Sequence, residues 1–261
     1  MKYIFLIMEK KIKIIATIGP NSNSEEILEA FKKRGVDFIR INLSHTNIED
    51  IEKKVRFLKS ASSIPIILDT EGPQVRTGNE TEIEFIEGET IRLYNRAVNC
   101  DRKNVYLTPE YVANSFRIGD KISLAFGSTL LTVSNTSLRR VHGYIECKVI
   151  QGGIFGGKKA VHIESQNFDL PDFSVKDLEA FEIAKKYGVK HFTLSFIEHP
   201  ESVNKVREIV PGSILYSKIE SQEGVRRFDE IADRSDGILI DRGDLSSEVP
   251  IELIPFIQKD L

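Results

Sequence analysis

Apolar residues in the first third of the chain switch between two spacings. "KIKIIATIG", "VDFIRINLS" and "IPIILDTEG" are short, nearly continuous apolar runs, the first two rich in β-branched residues. Between them, "SEEILEAFKKRG" and "NIEDIEKKVRFLKSA" carry apolar residues three and four apart, the spacing of one helix face. Ser24 stands where an N-cap is needed and Gly35 where the first helix must end. Apolar strands alternating with helices over short loops predict a parallel sheet covered by helices.

The rhythm breaks near Asn79. Up to Phe168 the pattern is one of short strands and turns, "TEIEFIEGETIRLY", "FRIGDKISLAF", "TLLTVSN" and "GYIECKVIQGG", with apolar and polar residues alternating at period two. This predicts a small antiparallel β domain, of barrel type, inserted between two βα units. From Asp172 the first rhythm returns. Helices are expected at "SVKDLEAFEIAKKYG", "PESVNKVREIV" and "EGVRRFDEIADR", and strands at "VKHFTLSFI", "SILYSKIE" and "DGILIDRG"; "VPIELIPFIQKDL" is a last amphipathic piece. The expected division is 1–78 and 169–261 for a parallel (β/α) barrel of the TIM type, and 79–168 for the insertion. Six strands are predicted where a closed barrel has about eight. The barrel therefore reads as incomplete, either as a piece of a longer chain or as an open or partnered version.

Composition narrows the classes. A net charge of −3, with no basic tract, argues against nucleic-acid or membrane-surface binding. No apolar run reaches the roughly 20 residues of a membrane helix. "MKYIFLIMEKKIKII" lacks a small-residue cleavage site, and Met8 is an alternative start. Cys100 and Cys147 have no metal-ligand spacing and read as two reduced thiols of a cytoplasmic protein. Small-molecule substrates are the expected partners, and homo-oligomer formation is left open.

The polar residues collect at predicted strand ends, where a parallel barrel carries its chemistry. The second strand delivers Arg40, Asn42, Ser44 and His45; the third Asp69, Thr70 and, later, Arg76; the fourth Ser195; the fifth Lys218 and Glu220; the sixth Arg242 and Asp244. Glu220 and Asp244 sit at neighbouring strand ends, and two anions at one point need a cation between them. Oxygen donors suit Mg²⁺ or Mn²⁺; salt bridges to Arg226, Arg227 or Arg242 are the alternative. Lys218 and Glu220 lie two apart, so in a strand they share a face, and a lysine there suits a transferring phosphoryl or a developing enolate. Arg40 suits a phosphate or carboxylate, or else a buried pairing with Asp69. "GGIFGGKKA" (152–160) reads as a hairpin turn or hinge in preference to a phosphate loop.

Taken together, "ATIGP", "RINLSHT", "LDTEGPQVRTG", "LPDFSVKDLEAF", "SKIESQEGVRRFDEI" and "SDGILIDRGDL" resemble the pyruvate kinase family, in that family's order, from about Lys11 to Pro250. The insertion stands where that family inserts its β-rich lid. The resemblance implies phosphoryl transfer between phosphoenolpyruvate and ADP. It implies Glu220 and Asp244 as divalent-metal ligands, Lys218 as the lysine that stabilises the phosphoryl group in flight, and Arg40 as the arginine on the substrate phosphate. Asn42, Ser44, Asp69 and Thr70, the last through its carbonyl, resemble potassium ligands. Gly243 and the Asp244 amide resemble the donors to the pyruvate carboxylate. Arg76 matches a second phosphate-facing arginine and, with Lys158, the nucleotide side.

The sequence also departs from the family. Ala125-Phe126 stand where the lid has two adjacent acids for metal-bound nucleotide. Gln74 replaces a charge linked to potassium dependence. Asp241 stands in place of a small residue and adds an acid beside the metal ligands. The family's seventh and eighth strands and its C-terminal domain have no counterpart in these residues. Two other readings stay open. One is a metal-dependent pyruvate-enolate lyase, since 217–245 is also similar to the metal-binding part of class II pyruvate aldolases; the other is a non-catalytic homologue.

Overall fold

The fold was taken from a computed structural model, which describes residues 12–125, 127–163, 170–246 and 248–261. Met8, Phe126 and the expected 168/169 boundary lie outside the described residues. The chain divides into two compact units. One comprises residues up to Gly72, Phe173–Ile219 and Arg226–Leu239; the other comprises Pro73–Asp172, Glu220–Val225 and Ile240–Leu261.

The first unit is built on a curled six-stranded parallel sheet, a half-barrel. Its strands run in sequence order: Ile15–Thr17, Phe38–Asn42, Ile66–Asp69, His191–Leu194, Ile214–Ile219 and Gly237–Ile240. Chain order equals spatial order because each strand is returned by a helix to the same end, the βα arrangement. Central strands are sealed on both faces, so Ile66–Asp69 is buried throughout, whereas Ile15–Thr17 at one edge is half exposed. Helices Glu25–Lys33, Ile48–Ala61, Val175–Tyr187 and Pro200–Ile209 bury Leu28, Ile51, Val55, Leu58, Phe181 and Val206. Phe181 joins helix to sheet, edge-on to Phe192 at 5.4 Å and to Phe173 at 5.1 Å.

Helix starts follow the expected chemistry. Ser24 accepts from the Ile27 N–H, and Ser174 with Asp177 forms a capping box. "EGVRRFDEIADR" does not form one helix. It breaks into Gln222–Arg226 and Phe228–Ala232, because Arg227 (φ −104°, ψ 19°) leaves helical geometry and its guanidinium turns to Glu230 and His199.

Register fixes what meets at the strand ends. Thr17 faces Arg40 across the first pair of strands. Asn42, Asp69 and Thr193 form one row across the next three, and Leu194 faces Ser217. Parallel in-register pairing therefore gathers side chains that lie up to about 200 residues apart in sequence.

The second unit is a mixed sheet that nearly closes on itself. In order its strands are Val161–Ile163, Lys121–Leu124, Thr129–Asn135, Tyr144–Gln151, Thr90–Tyr94, Asn104–Thr108 and Arg76–Thr77, with Ile83–Phe85 and Gly153–Phe155 as a separate pair. Its two ends meet through an Arg76/Ala160 bridge and the bonds Val161 N–H to Val75 O and Thr77 N–H to Lys159 O. One pair, Thr90–Tyr94 with Asn104–Thr108, is parallel, so the pairing is not purely antiparallel as the period-two pattern predicts; residues 95–103 form the crossover this requires. Phe85, Phe116, Ile91, Ile122, Leu131, Ile145 and Cys147 fill the interior. Burial lifts the Cys147 thiol to about 12, so it is an apolar packing group and not a nucleophile. The glycines of "GGIFGGKKA" serve close packing: a Cβ on Gly157 would lie 2.5 Å from the Glu80 carbonyl oxygen.

Candidate functional site

In the parallel sheet, five consecutive strand ends form one hydrogen-bonded relay. Arg40 donates through Nε to Thr17 Oγ1 at 2.9 Å and sets Nη1 3.5 Å from Asp69 Oδ2. Asp69 Oδ1 accepts from Thr193 Oγ1 at 2.5 Å and lies 3.9 Å from Lys218 Nζ. Lys218 donates to Ser195 Oγ at 3.2 Å. Ser195 in turn donates its hydroxyl to the Thr70 carbonyl at 2.7 Å and its N–H to Thr70 Oγ1 at 2.8 Å. Asp69, Thr70, Thr193, Ser195 and Lys218 are all buried, Lys218 with 6% of its surface exposed. A buried ammonium this deep needs fixed acceptors and a counter-charge, and Asp69 with Ser195 supplies them.

The loop that follows Thr70 is held just as firmly. The Asp177 carboxylate, fully buried, accepts from the backbone N–H groups of Glu71 (2.7 Å), Gly72 (3.0 Å) and Ser174 (3.1 Å). Burial pushes its pKa up, and the three N–H donors pull it back part of the way. Gly72 is at φ +72°, and a Cβ there would meet the Ser195 carbonyl oxygen at 2.9 Å. Lys176 reaches the Glu71 carboxylate and the Leu43 carbonyl.

Three acids of the second unit make a different arrangement. Glu220 directly follows the fifth strand; Asp244 lies in the short helix Arg242–Leu245 after the sixth; Asp241 caps that helix, its Oδ1 accepting from the Gly243 N–H at 3.2 Å. One carboxylate oxygen from each lies within 4.8 Å of the others. Glu220 is 1% exposed, and Asp241 and Asp244 are half-buried. Three hard oxygen donors at this separation fit a divalent cation of the Mg²⁺, Mn²⁺ or Ca²⁺ kind. Of the arginines expected as alternative partners, Arg227 is engaged by Glu230 at 2.6 Å and by His199.

The other expected residues fall as follows. Asn42 Oδ1 accepts from the Ser44 N–H at 2.9 Å, so the side chain caps the turn Leu43–His45. Asp69 sits between two cations, and the Thr70 carbonyl accepts the Ser195 hydroxyl. Arg76 and Lys158 are neighbours, Arg76 Nη1 donating to the Lys158 carbonyl at 3.0 Å, while Lys158 Nζ lies 3.1 Å from Glu80. Ala125 holds a left-handed φ of 50°. Sequence reasoning missed Thr17, Thr193 and Asp177. Thr193 has a usable signal, since it stands two before Ser195 and shares its face. No described helix is long and apolar enough to cross a membrane.

A family model described as the barrel domain of pyruvate kinase matches residues 9–261. Among curated proteins, the chain is similar to pyruvate kinase of Aeropyrum pernix, with 34% identity over 97% of this chain and 55% of that protein. It is 31% identical to the pyruvate kinases of Staphylococcus haemolyticus and Staphylococcus epidermidis, over 97% of this chain and 45% of each of those. The chain thus spans about half the length of the curated relatives it matches.

Proposed function

Because the chain belongs to the pyruvate kinase family, we propose that it serves phosphoryl transfer between phosphoenolpyruvate and ADP, using Mg²⁺ or Mn²⁺ held by Glu220 and Asp244. The observation that carries this reading is the meeting of the Glu220 and Asp244 carboxylates, with Asp241, within 4.8 Å. A divalent cation bound there supplies concentrated positive charge to phosphoryl and enol oxygens.

The chain's own residues supply the rest. Lys218 precedes Glu220 by two residues and brings a desolvated ammonium, one of whose acceptors, Ser195 Oγ, is neutral and exchangeable for a phosphoryl oxygen. Arg40 uses one N–H on Thr17 and faces Asp69 with another nitrogen; a guanidinium has five donors, so others serve the substrate phosphate. Asp69 keeps Arg40 and Lys218 apart and oriented. The amides of Gly243 and Asp244 take the substrate carboxylate, for which the Asp241 cap on Gly243 has to yield. Arg76 and Lys158 serve the nucleotide.

Ligand-dependent melting of the 261-residue chain tests the reading. Mn²⁺ should raise Tm, oxalate should raise it further only in the presence of Mn²⁺, and ADP with Mn²⁺ should add to both. A response to Mn²⁺ and oxalate but not ADP moves the chemistry to a pyruvate-enolate lyase, which the absence of an acid at Ala125 favours. No response to any of them defeats both enzymatic readings.

A further inference from the structure

We propose that Asp241 is a third carboxylate ligand of the divalent-cation site, so that this chain holds its metal before substrate arrives. The inference rests on the reading that Glu220 and Asp244 bind a divalent ion, and it adds what that reading leaves out. A ligand oxygen of Asp241 lies within 4.8 Å of those of both other acids, the spread expected of donors sharing one ion. Its position is fixed by the fold: the strand Gly237–Ile240 ends immediately before it, and its Oδ1 accepts from the Gly243 N–H at 3.2 Å. One carboxylate offers about four lone-pair sites, so capping Gly243 does not by itself exclude a metal. Asp244 stands in the helix that Asp241 caps.

The consequence follows from charge count. Mg²⁺ sites that depend on substrate oxygens commonly use one or two protein carboxylates and fill the shell with water. A third carboxylate displaces one more water and raises the formal charge facing the ion from −2 to −3. The cation then binds tightly without substrate.

The test is Mn²⁺ binding by the substrate-free 261-residue chain, read by titration calorimetry and by electron spin-echo counting of bound water. In an octahedral shell, three carboxylates leave about three waters and two leave about four. Asp241→Asn keeps an oxygen to cap Gly243 while removing the charge; it should weaken Mn²⁺ binding about tenfold or more and add one water. Glu220→Gln is the reference for loss of the site. Unchanged affinity and water count in Asp241→Asn, with binding lost in Glu220→Gln, overturn the role of Asp241 and leave the two-ligand reading standing. No Mn²⁺ binding by the unaltered chain overturns both. If Asp241→Asn fails to fold, the unaltered chain still decides: about three waters support the proposal, and about four overturn it.

Discussion

The relay at the sheet's strand ends and the acid trio differ in how their charge is arranged. In the relay the signs alternate. Arg40, Asp69 and Lys218 stand cation, anion, cation, with Thr17, Thr193 and Ser195 hydroxyls filling the remaining valences. In the trio, Glu220, Asp241 and Asp244 bring three charges of one sign within 4.8 Å. The first arrangement stabilises itself through contacts already made. On the proposed reading, the second gains further when a divalent ion binds. Burial alone therefore does not say what a polar cluster takes up; the sign pattern does, and on the proposed reading Arg40 and Lys218 exchange contacts for substrate oxygens while the acids take a cation.

That contrast can be broken experimentally, and the largest effect should come from the relay. Asp69→Asn deprives Arg40 and Lys218 of their shared anion and should cost about 3 kcal/mol or more, whether or not Mn²⁺ is present. Scanning calorimetry measures it, and a Tm within a degree of the unaltered chain would show that Asp69 does not balance these cations. Next comes Glu220→Gln, which should remove the metal-dependent part of the stability, about 2.7 kcal/mol at a Mn²⁺ concentration 100 times Kd. A variant whose Tm still climbs with Mn²⁺ would put the ion elsewhere. Gly72→Ala forces a left-handed residue and sets a Cβ 2.9 Å from the Ser195 carbonyl oxygen, so about 2 kcal/mol of destabilisation is expected in denaturant titration, again independent of metal.

The smallest effect concerns His191, which stacks edge-on against Phe38 at 4.9 Å. Burial holds its imidazole below the usual value. The unfolded chain then takes up the proton at higher pH than the folded one. Stability is full above the ordinary imidazole range and is lost as pH falls through it toward the lowered folded value. The side chain is only partly buried, so solvent screening limits the loss to the order of a few tenths of a kcal/mol. His191→Leu should flatten that slope between pH 7.5 and 5.5, both set by the experimenter around the usual value of about 6.5; an unchanged slope assigns it to other groups.

Much of the fold was legible because periodicity is a property of each segment alone. Six apolar runs became six strands, and the first helix began at its predicted cap, Ser24. The candidate residues were legible for the same reason, standing at strand ends two apart on one face. Partnership was not. Arg40 left two roles open, an anion or Asp69; the choice depends on Asn42 pairing with Asp69 across two strands, a register that no local pattern states. Thr193 reads as an ordinary β-branched strand residue until that register sets it beside Asp69. Asp177 reads as a first-turn acid of its helix, and only tertiary structure brings Glu71 and Gly72 to its carboxylate. The break at Arg227 was invisible because its helical spacing continues unbroken on either side.

Anomalous diffraction from a crystal soaked in Mn²⁺ tests the central claim most directly. The account predicts one strong peak within ligand distance, about 2.2 Å, of carboxylate oxygens of both Glu220 and Asp244. A peak that avoids these two residues, or none at saturating Mn²⁺, would contradict it.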